Sequence, residues 1–137
     1  MHRPDRREFV AASAALAGLP FAARAAGEGP RAYRACVIGH TGRGGYGHGL
    51  DTAFQGLPGV AVVGLADPDE KGRPAAAKRA GAARAYADYR EMLEKEKPNL
   101  VAVCPSHLEG RLAMVRAAVA AGAHVYMDKP MAASLDD

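Results

Sequence analysis

Short apolar runs alternate with longer amphipathic or alanine-rich segments from about residue 33 to the end of the chain. The apolar runs are residues 33–38, 60–66, 83–86, 100–104 and 123–127. Continuous apolar runs of this length predict strands that are covered on both faces of a sheet. The segments between them predict four helices: one that ends near residue 55, and others over residues 68–80, 89–97 and 108–121.

Five strands that alternate with four helices predict an α/β fold with a doubly wound, mainly parallel sheet of the Rossmann type. Two local patterns support the helices. Asp88 is placed to cap the third helix. Leu108, Leu112, Val115 and Val119 are spaced four, three and four residues apart, which predicts an apolar stripe on one side of the fourth helix.

The composition is that of an ordinary globular domain and excludes several functional classes. The chain has 137 residues, of which 49% are hydrophobic and 24% charged, which suits one domain. The net charge of +3 owes most to four arginines in residues 1–25, and the rest of the chain has 14 basic and 13 acidic side chains. With no Trp and three Phe as well, no nucleic-acid partner is predicted.

The two cysteines and the histidines do not form a pattern typical of a metal site. Cys104 and His107 have no further ligand cluster near them in sequence, so we predict no metal. Cys36 and Cys104 fall on strands that should hold their Cα atoms about 8 Å apart, which exceeds the reach of a disulfide. We therefore expect two buried thiols.

Residues 1–25 have the order of regions that is typical of an export signal. Arg6 and Arg7 precede Phe9, an apolar stretch follows, and Ala23-Arg24-Ala25 supplies a small-x-small cleavage site. The apolar stretch of roughly ten residues is too short for a membrane span. The paired arginines resemble a twin-arginine signal, which predicts a periplasmic or exported protein. The alternative is an alanine-rich first helix of a cytoplasmic protein. Residues 26–33 read as a linker.

A glycine-rich stretch after the first strand, with an acidic residue after the second, indicates a dinucleotide site. Two registers are possible: Gly42-x-Gly44-x-x-Gly47 matches the usual glycine pattern literally, whereas Gly39-x-Thr41-x-x-Gly44 begins at the strand end and is favoured. Backbone amides in such a turn face a pyrophosphate. Asp67 is placed to accept both adenosine ribose hydroxyls and to repel a 2′-phosphate, which favours NAD over NADP. The alternative role of Asp67 is a helix cap before Pro68.

Four segments, taken in order, resemble the Gfo/Idh/MocA oxidoreductases, a family named for glucose–fructose oxidoreductase and inositol dehydrogenase. They are residues 38–44 (IGHTGRG), 86–93 (YADYREML), 103–108 (VCPSHL) and 122–131 (GAHVYMDKPM). The resemblance runs from about Arg34 to Asp137, so the dinucleotide-binding domain is predicted over residues 34–137. Such enzymes transfer hydride between a nicotinamide cofactor and a sugar or cyclitol carbon.

The resemblance implies a role for each matching residue. The pyrophosphate would be wrapped by Gly39, Thr41, Gly42, Arg43 and Gly44, and the path to the nicotinamide would be lined by Pro105, Ser106 and His107. The cofactor would also be contacted by Asp128, Lys129 and Pro130, and Lys129 would act as the catalytic residue. Asp128 stands where the family usually has Glu, and Glu109 stands where many members have His.

The resemblance also implies a second, α+β domain that follows this one, and the sequence ends before it. We therefore expect an N-terminal portion of an oxidoreductase that acts on its sugar-like substrate, and forms its oligomers, only with that domain. Two other functions stay open at this point. One is a stand-alone, non-catalytic nucleotide-binding module. The other is a methyltransferase-like Rossmann domain that binds S-adenosylmethionine.

Overall fold

The computed structural model describes residues 32–134. Along this range the elements are β1 Tyr33–Ile38, β2 Val60–Ala66, α1 Arg73–Ala80, β3 Arg84–Tyr86, α2 Tyr89–Glu96, β4 Leu100–Val103, α3 Arg111–Ala120 and β5 His124–Met127. The predicted signal at residues 1–25, linker residues 26–31 and residues 135–137 lie outside the described range. None of the helices within residues 32–134 has the length and apolar character that a bilayer crossing requires.

The five strands form one parallel sheet in the order β3-β2-β1-β4-β5. The order reverses between β1 and β4, so the chain first winds outward through β2 and β3 and then crosses to β4 and β5. The strands finish level with one another, because Ile38 pairs with Ala66 on one side and with Val103 on the other. The predicted doubly wound Rossmann-type α/β fold is confirmed.

The core lies in two layers, one on each face of the sheet. Val37 and Ile38 are adjacent in β1 but belong to different apolar clusters, because successive side chains of a strand point to opposite faces. On the Val37 face the cluster includes Leu50, Phe54, Leu65, Ala77 and Ala102, and on the Ile38 face it includes Met92, Leu93, Val101, Val103 and Ala118. Burial on both faces explains why the strands read as continuous apolar runs.

The helix predicted to end near residue 55 is wrong. The chain forms turns there, with a single 3₁₀ turn at Leu50–Thr52. Gly44, Gly45, Gly47 and Gly49 all have φ between 59° and 79°, a left-handed conformation that glycine adopts readily and that a right-handed helix cannot include. Leu50 and Phe54 nevertheless pack on the Val37 face of the sheet. The turn segment therefore covers this face in place of a helix.

Two other helices begin later than the sequence pattern predicts. The segment predicted over residues 68–80 becomes helical only at Arg73, with Pro74 in its first turn, where proline costs no hydrogen bond. The last helix begins at Arg111, so Leu108 lies before it, and Val119 is 60% exposed. The predicted apolar stripe of this helix is therefore only partly covered. Asp88 caps α2 as predicted, since its side chain accepts the N–H of Arg90 at 2.6 Å.

Both cysteines are buried, free thiols. Burial is the main reason that the pKa of the Cys36 thiol is raised to about 12, and the negative charge of Glu96 adds to it. Burial likewise raises the pKa of Cys104 far above its ordinary value. Both side chains stay protonated at neutral pH, so neither is a reactive thiolate.

Candidate functional site

The carboxyl edge of the sheet gathers the residues that the sequence singled out. Gly39 follows β1, Asp67 follows β2, Pro105 lies two residues beyond β4, and Asp128 follows β5. Parallel strands that end level place these four positions along one edge, on both sides of the β1–β4 switch in strand order. In open α/β sheets the crevice at such a switch point is where ligands bind.

The glycine-rich turn closes on itself and leaves two backbone amides unused. The N–H of His40 donates to the Gly45 carbonyl at 3.3 Å, and the N–H groups of Arg43 and Gly45 donate to the His40 carbonyl at 3.0 and 2.9 Å. The N–H groups of Gly42 and Gly44 have no acceptor within residues 32–134. Free, clustered backbone amides are the donors that hold phosphate oxygens in glycine-rich turns.

The segment after β4 packs directly on this turn. The Ser106 hydroxyl donates to the Gly44 carbonyl at 2.8 Å. A Cβ on Gly44 would lie 2.6 Å from Ser106 Oγ and 3.1 Å from His107 Nδ1, so only glycine fits there. Ser106 and His107, which the resemblance assigned to the path toward the nicotinamide, therefore contact the glycine-rich turn. Pro105 is buried behind them.

Two histidines of the site have buried ring nitrogens without hydrogen-bond partners. His40 and His107 meet edge to face with ring centroids 6.1 Å apart, and Nδ1 of each is buried and unpartnered within the described range. Orphaned polar atoms are uncommon in protein interiors and call for an explanation. A polar ligand beside the glycine-rich turn would provide partners for both.

Asp67 is buried, and its carboxylate is occupied by the protein itself. Oδ2 accepts the Thr41 N–H at 2.9 Å, the Thr41 hydroxyl at 2.5 Å and the Tyr46 hydroxyl at 2.5 Å, and Oδ1 accepts the Asp69 N–H at 2.9 Å. Burial raises the pKa of Asp67, but the hydrogen bonds from Thr41, Tyr46 and Asp69 outweigh it, and the pKa lies below its ordinary value. The carboxylate therefore stays charged and fixes the turn; its contact with a ribose stays a prediction.

Tyr46 is a site residue that sequence reasoning missed. Its ring packs on Gly39, where a Cβ would lie 1.9 Å from a ring carbon, and its hydroxyl reaches Asp67. Burial first, and then the hydrogen bond to the Asp67 carboxylate, raise the pKa of Tyr46 far above its ordinary value, so it remains a donor. A signal for it exists in the sequence, because an aromatic residue within a glycine-rich turn needs a place to pack.

The Asp128-Lys129-Pro130 signature is held in place by a buried arginine. Arg111, the first residue of α3, is 3% exposed, and its guanidinium donates to the carbonyls of Asp128 (3.2 Å), Pro130 and Pro105. It therefore joins the segments that follow β4 and β5, and the Lys129–Pro130 peptide bond between its contacts is cis. Lys129 and Pro130 are exposed. Sequence reasoning missed Arg111, because nothing in a helix of mixed pattern marks one arginine as buried.

Arg43 and Glu109, which sequence analysis placed on the turn and after β4, form an ion pair across the site. Both side chains are more than half exposed, so the pair contributes little to stability. It does add a second contact between the glycine-rich turn and the segment that follows β4. Within residues 32–134 no three His, Cys, Asp or Glu side chains lie close enough to hold a metal ion.

An apolar cavity of about 180 Å³ opens at the β2 side of the same edge. Its walls include Ile38, His40, Pro68, Ala87 and Tyr89. Beside it, Arg73 donates Nε to the Asp67 carbonyl at 2.7 Å, and Asp69 places a carboxylate oxygen close to Gly42. An apolar pocket rimmed by a few polar groups suits a flat heterocyclic ring better than a sugar.

Comparison with known proteins shows the family to which the chain belongs. The profile of the oxidoreductase family described as Gfo/Idh/MocA, NAD-binding Rossmann fold, matches residues 33–137. The chain belongs to this family. It is an NAD-binding Rossmann domain of the oxidoreductases, and the resemblance seen in the four sequence segments is confirmed. No curated protein sequence matches the chain at a significant level.

Solved structures similar to this domain include dehydrogenases and other oxidoreductases. One is scyllo-inositol dehydrogenase from Lactobacillus casei with bound NAD(H) and scyllo-inositol, at 16% identity and TM-score 0.62, covering 77% of this chain and 30% of that one. Myo-inositol 2-dehydrogenase from Lactobacillus plantarum has 24% identity and TM-score 0.62, with the same coverage. An NAD-binding oxidoreductase from Klebsiella pneumoniae has 32% identity and TM-score 0.56, covering 76% of this chain and 28% of that one.

The chain thus spans about 30% of the length of the structures it matches. Within that length, the residues present fit a dinucleotide. The unused amides of Gly42 and Gly44 suit a pyrophosphate, the unpartnered histidine nitrogens suit a polar ligand, and the apolar cavity suits adenine. The misfit is Asp67, whose carboxylate is already saturated by protein donors.

Proposed function

We propose that this domain serves an NAD-dependent oxidoreductase that acts on a hydroxyl-bearing carbon of a sugar or cyclitol. The observation that carries the proposal is the pair of unused amides at Gly42 and Gly44, set opposite Ser106 and His107 at the switch point of the sheet. NAD, when bound, supplies the hydride acceptor. The substrate class follows from the inositol dehydrogenases among the similar structures.

Different residues along the carboxyl edge bind different parts of the cofactor. The turn from Gly39 to Gly44 binds the pyrophosphate, with Thr41 and Arg43 on its rim, and the β2 side receives the adenosine. Lys129, beyond β5, is placed at the nicotinamide half, where its ammonium can hydrogen-bond the reacting oxygen and stabilise negative charge on it. Arg111 contributes rigidity, because it fixes the backbone on both sides of Lys129.

Calorimetric titration of the chain with NADH, NADPH and S-adenosylmethionine tests the cofactor. NADH should bind in the micromolar to millimolar range, as expected when one wall of a cleft binds alone. Gly44→Ala should abolish binding, because its Cβ would collide with Ser106 Oγ at 2.6 Å, whereas Gly122→Ala, with open space around it, is the control. Tighter binding of NADPH would implicate Arg73 in holding a 2′-phosphate, and binding of S-adenosylmethionine alone would reject the oxidoreductase reading.

The role of Lys129 is tested in the full-length protein with a panel of polyols. Lys129→Ala should lower kcat by roughly 10²–10⁴-fold, the range for loss of a group that assists proton transfer, with NADH affinity nearly unchanged. Lys78→Ala, an exposed lysine in the last turn of α1, is the matched control. Full activity of Lys129→Ala would remove Lys129 from the mechanism.

We also propose that the protein is exported by the twin-arginine route. The support is the Arg6-Arg7-x-Phe9 sequence and the Ala25 cleavage site. A reporter fused after Gly27 should leave the cytoplasm, and the double change Arg6→Lys with Arg7→Lys should retain it. Unchanged export of the double variant would reject this route.

A further inference from the structure

The carboxylate expected to bind the adenosine ribose is enclosed by the protein. Asp67 is 0% exposed, and its two oxygens accept hydrogen bonds from the Thr41 N–H and hydroxyl, the Tyr46 hydroxyl and the Asp69 N–H. A ribose hydroxyl would have to displace one of these donors to reach it. Asp67 therefore supports the glycine-rich turn from inside, and a ribose at this edge needs another acceptor.

A second carboxylate in the same loop has one oxygen to spare. Oδ1 of Asp69 accepts the Gly72 N–H at 2.7 Å, which fixes the side chain against its own loop. Oδ2 accepts no hydrogen bond from any residue in the range 32–134. Asp69 is only partly buried, and a carboxylate oxygen without an internal donor is an acceptor for the hydroxyl groups of a ligand.

The spare oxygen of Asp69 faces the glycine-rich turn. A Cβ on Gly42 would lie 2.7 Å from Asp69 Oδ2, and a Cβ on Gly72 would lie 2.3 Å from Thr41 Cγ2. The loop that follows β2 is thus packed against the turn at two points. This packing sets a free carboxylate oxygen beside Gly42, whose N–H is also unused.

The order of these features along the edge matches the order of groups in a dinucleotide. Pro68, the neighbour of Asp69, lines the apolar cavity that suits adenine, and Gly42 belongs to the turn that suits the pyrophosphate. The adenosine ribose joins these two groups in NAD. We propose that Asp69 accepts the hydroxyls of the adenosine ribose and is the residue that selects NAD over NADP. This proposal rests on the NAD-dependent function proposed above.

Charge provides the selection. NADP carries a phosphate on the 2′-oxygen of this ribose, so the Asp69 carboxylate would face a second negative group at short range. Arg73, in the same loop, has the opposite charge and donates Nε to the Asp67 carbonyl at 2.7 Å. With Asp69 neutralised, this guanidinium would remain to attract a 2′-phosphate.

Calorimetric titration of the chain with NADH and with NADPH tests the role of Asp69. Asp69→Asn keeps the oxygen that accepts the Gly72 N–H but removes the charge. It should weaken NADH binding roughly tenfold, the loss expected for a hydrogen bond to a charged group, and strengthen NADPH binding. Glu70→Gln, an exposed neighbour, removes the same charge from the loop and should leave the ratio of the two affinities unchanged. Equal ratios in the two variants overturn the proposal.

Asp67→Asn separates the roles of the two carboxylates. Since Asp67 supports the turn from inside, its loss should weaken NADH and NADPH binding by similar factors and leave their ratio as in the wild type. A ratio that changes in Asp67→Asn and not in Asp69→Asn overturns the proposal.

ADP and 2′-deoxy-ADP provide a test on the wild-type chain. ADP should bind roughly tenfold more tightly, because 2′-deoxy-ADP lacks a hydroxyl that donates to Asp69. Asp69→Asn should bind the two nucleotides alike. Equal wild-type affinities, in a chain that still binds NADH, overturn this proposal alone. A wild-type chain that binds neither NADH nor ADP overturns the NAD-dependent function as well, so the two failures are distinguishable.

Discussion

Two buried carboxylates, one near each edge of the sheet, are held by different kinds of donor. Glu96, at the end of α2, accepts from the guanidinium groups of Arg34 (2.8 Å) and Arg84 (2.6 Å) and from the Tyr86 hydroxyl. Asp67, at the carboxyl edge, accepts only from hydroxyl and backbone N–H groups, those of Thr41, Tyr46 and Asp69.

The difference separates a cluster that ties three elements together from one that holds the glycine-rich turn. Around Glu96 two guanidinium groups donate to one carboxylate and tie the start of β1 to α2 and β3. Around Asp67 no cationic side chain donates to the carboxylate, and the hydrogen bonds run to the glycine-rich turn. Removing the first should cost mainly stability, and removing the second should also alter the shape of the cofactor turn.

The largest expected effect is on the Glu96 cluster. Glu96→Gln leaves two arginines without their carboxylate and should lower the free energy of unfolding by roughly 3 kcal/mol, the low end for a broken buried ion pair, since both arginines reach solvent. Urea denaturation measures it, with Glu94→Gln, exposed on the same helix, as the control. Equal urea midpoints for the two variants would show that water replaces the carboxylate as the hydrogen-bond partner of the two arginines.

Acid should reproduce this loss in the wild-type protein. The hydrogen bonds from Arg84 lead the effects that lower the pKa of Glu96 from 4.5 to about 2. A carboxyl with a depressed folded-state pKa adds stability that is present above its unfolded-state pKa and disappears as the pH falls through the folded-state value. Thermal melts from pH 5 down to about 2 should therefore show a steeper fall in wild type than in Glu96→Gln. A melting temperature that falls equally with pH in both proteins would show that Glu96 is not the group responsible.

At the carboxyl edge, the steric fit of the turn gives the next largest effect. Gly39→Ala would place a Cβ 1.9 Å from the Tyr46 ring, and overpacking of this kind should cost about 2 kcal/mol. Gly42→Ala is the control, because the atom nearest its new Cβ is the end of the Asp69 side chain, which can move. Adding Tyr46→Leu to Gly39→Ala should recover part of the loss, and simple additivity of the two changes would contradict the contact.

The smallest expected effect comes from the loss of one hydrogen bond to Asp67. Tyr46→Phe keeps the ring on Gly39 but removes the hydroxyl that donates to Asp67 at 2.5 Å, which should cost about 1.5 kcal/mol for a bond to a charged group. Tyr33→Phe, at the start of β1 and 39% exposed, is the control and should be neutral. NADH affinity should fall with Tyr46→Phe as the turn loosens, and unchanged affinity would separate Tyr46 from the cofactor site.

Local sequence patterns were sufficient for the sheet. All five strands were predicted within one or two residues, because burial on both faces requires continuous apolar runs. The structure brings Gly39, Asp67, Ser106 and His107, each of which follows a strand, to one edge of the sheet. The helix expected after the turn was wrong because Gly49 and Gly56, on either side of that short segment, take positive φ, which the periodicity of apolar residues does not reveal.

The sequence by itself determined the fold class and the family, since these depend on the alternation of strands and helices and on motifs that are local in the chain. Only the tertiary structure decided which partners the charged groups find. Asp67 meets Tyr46, Arg111 spans two strand ends, and His48 meets Asp128 from 80 residues away. Such contacts depend on how separate segments pack, and no periodic or short-range pattern encodes them.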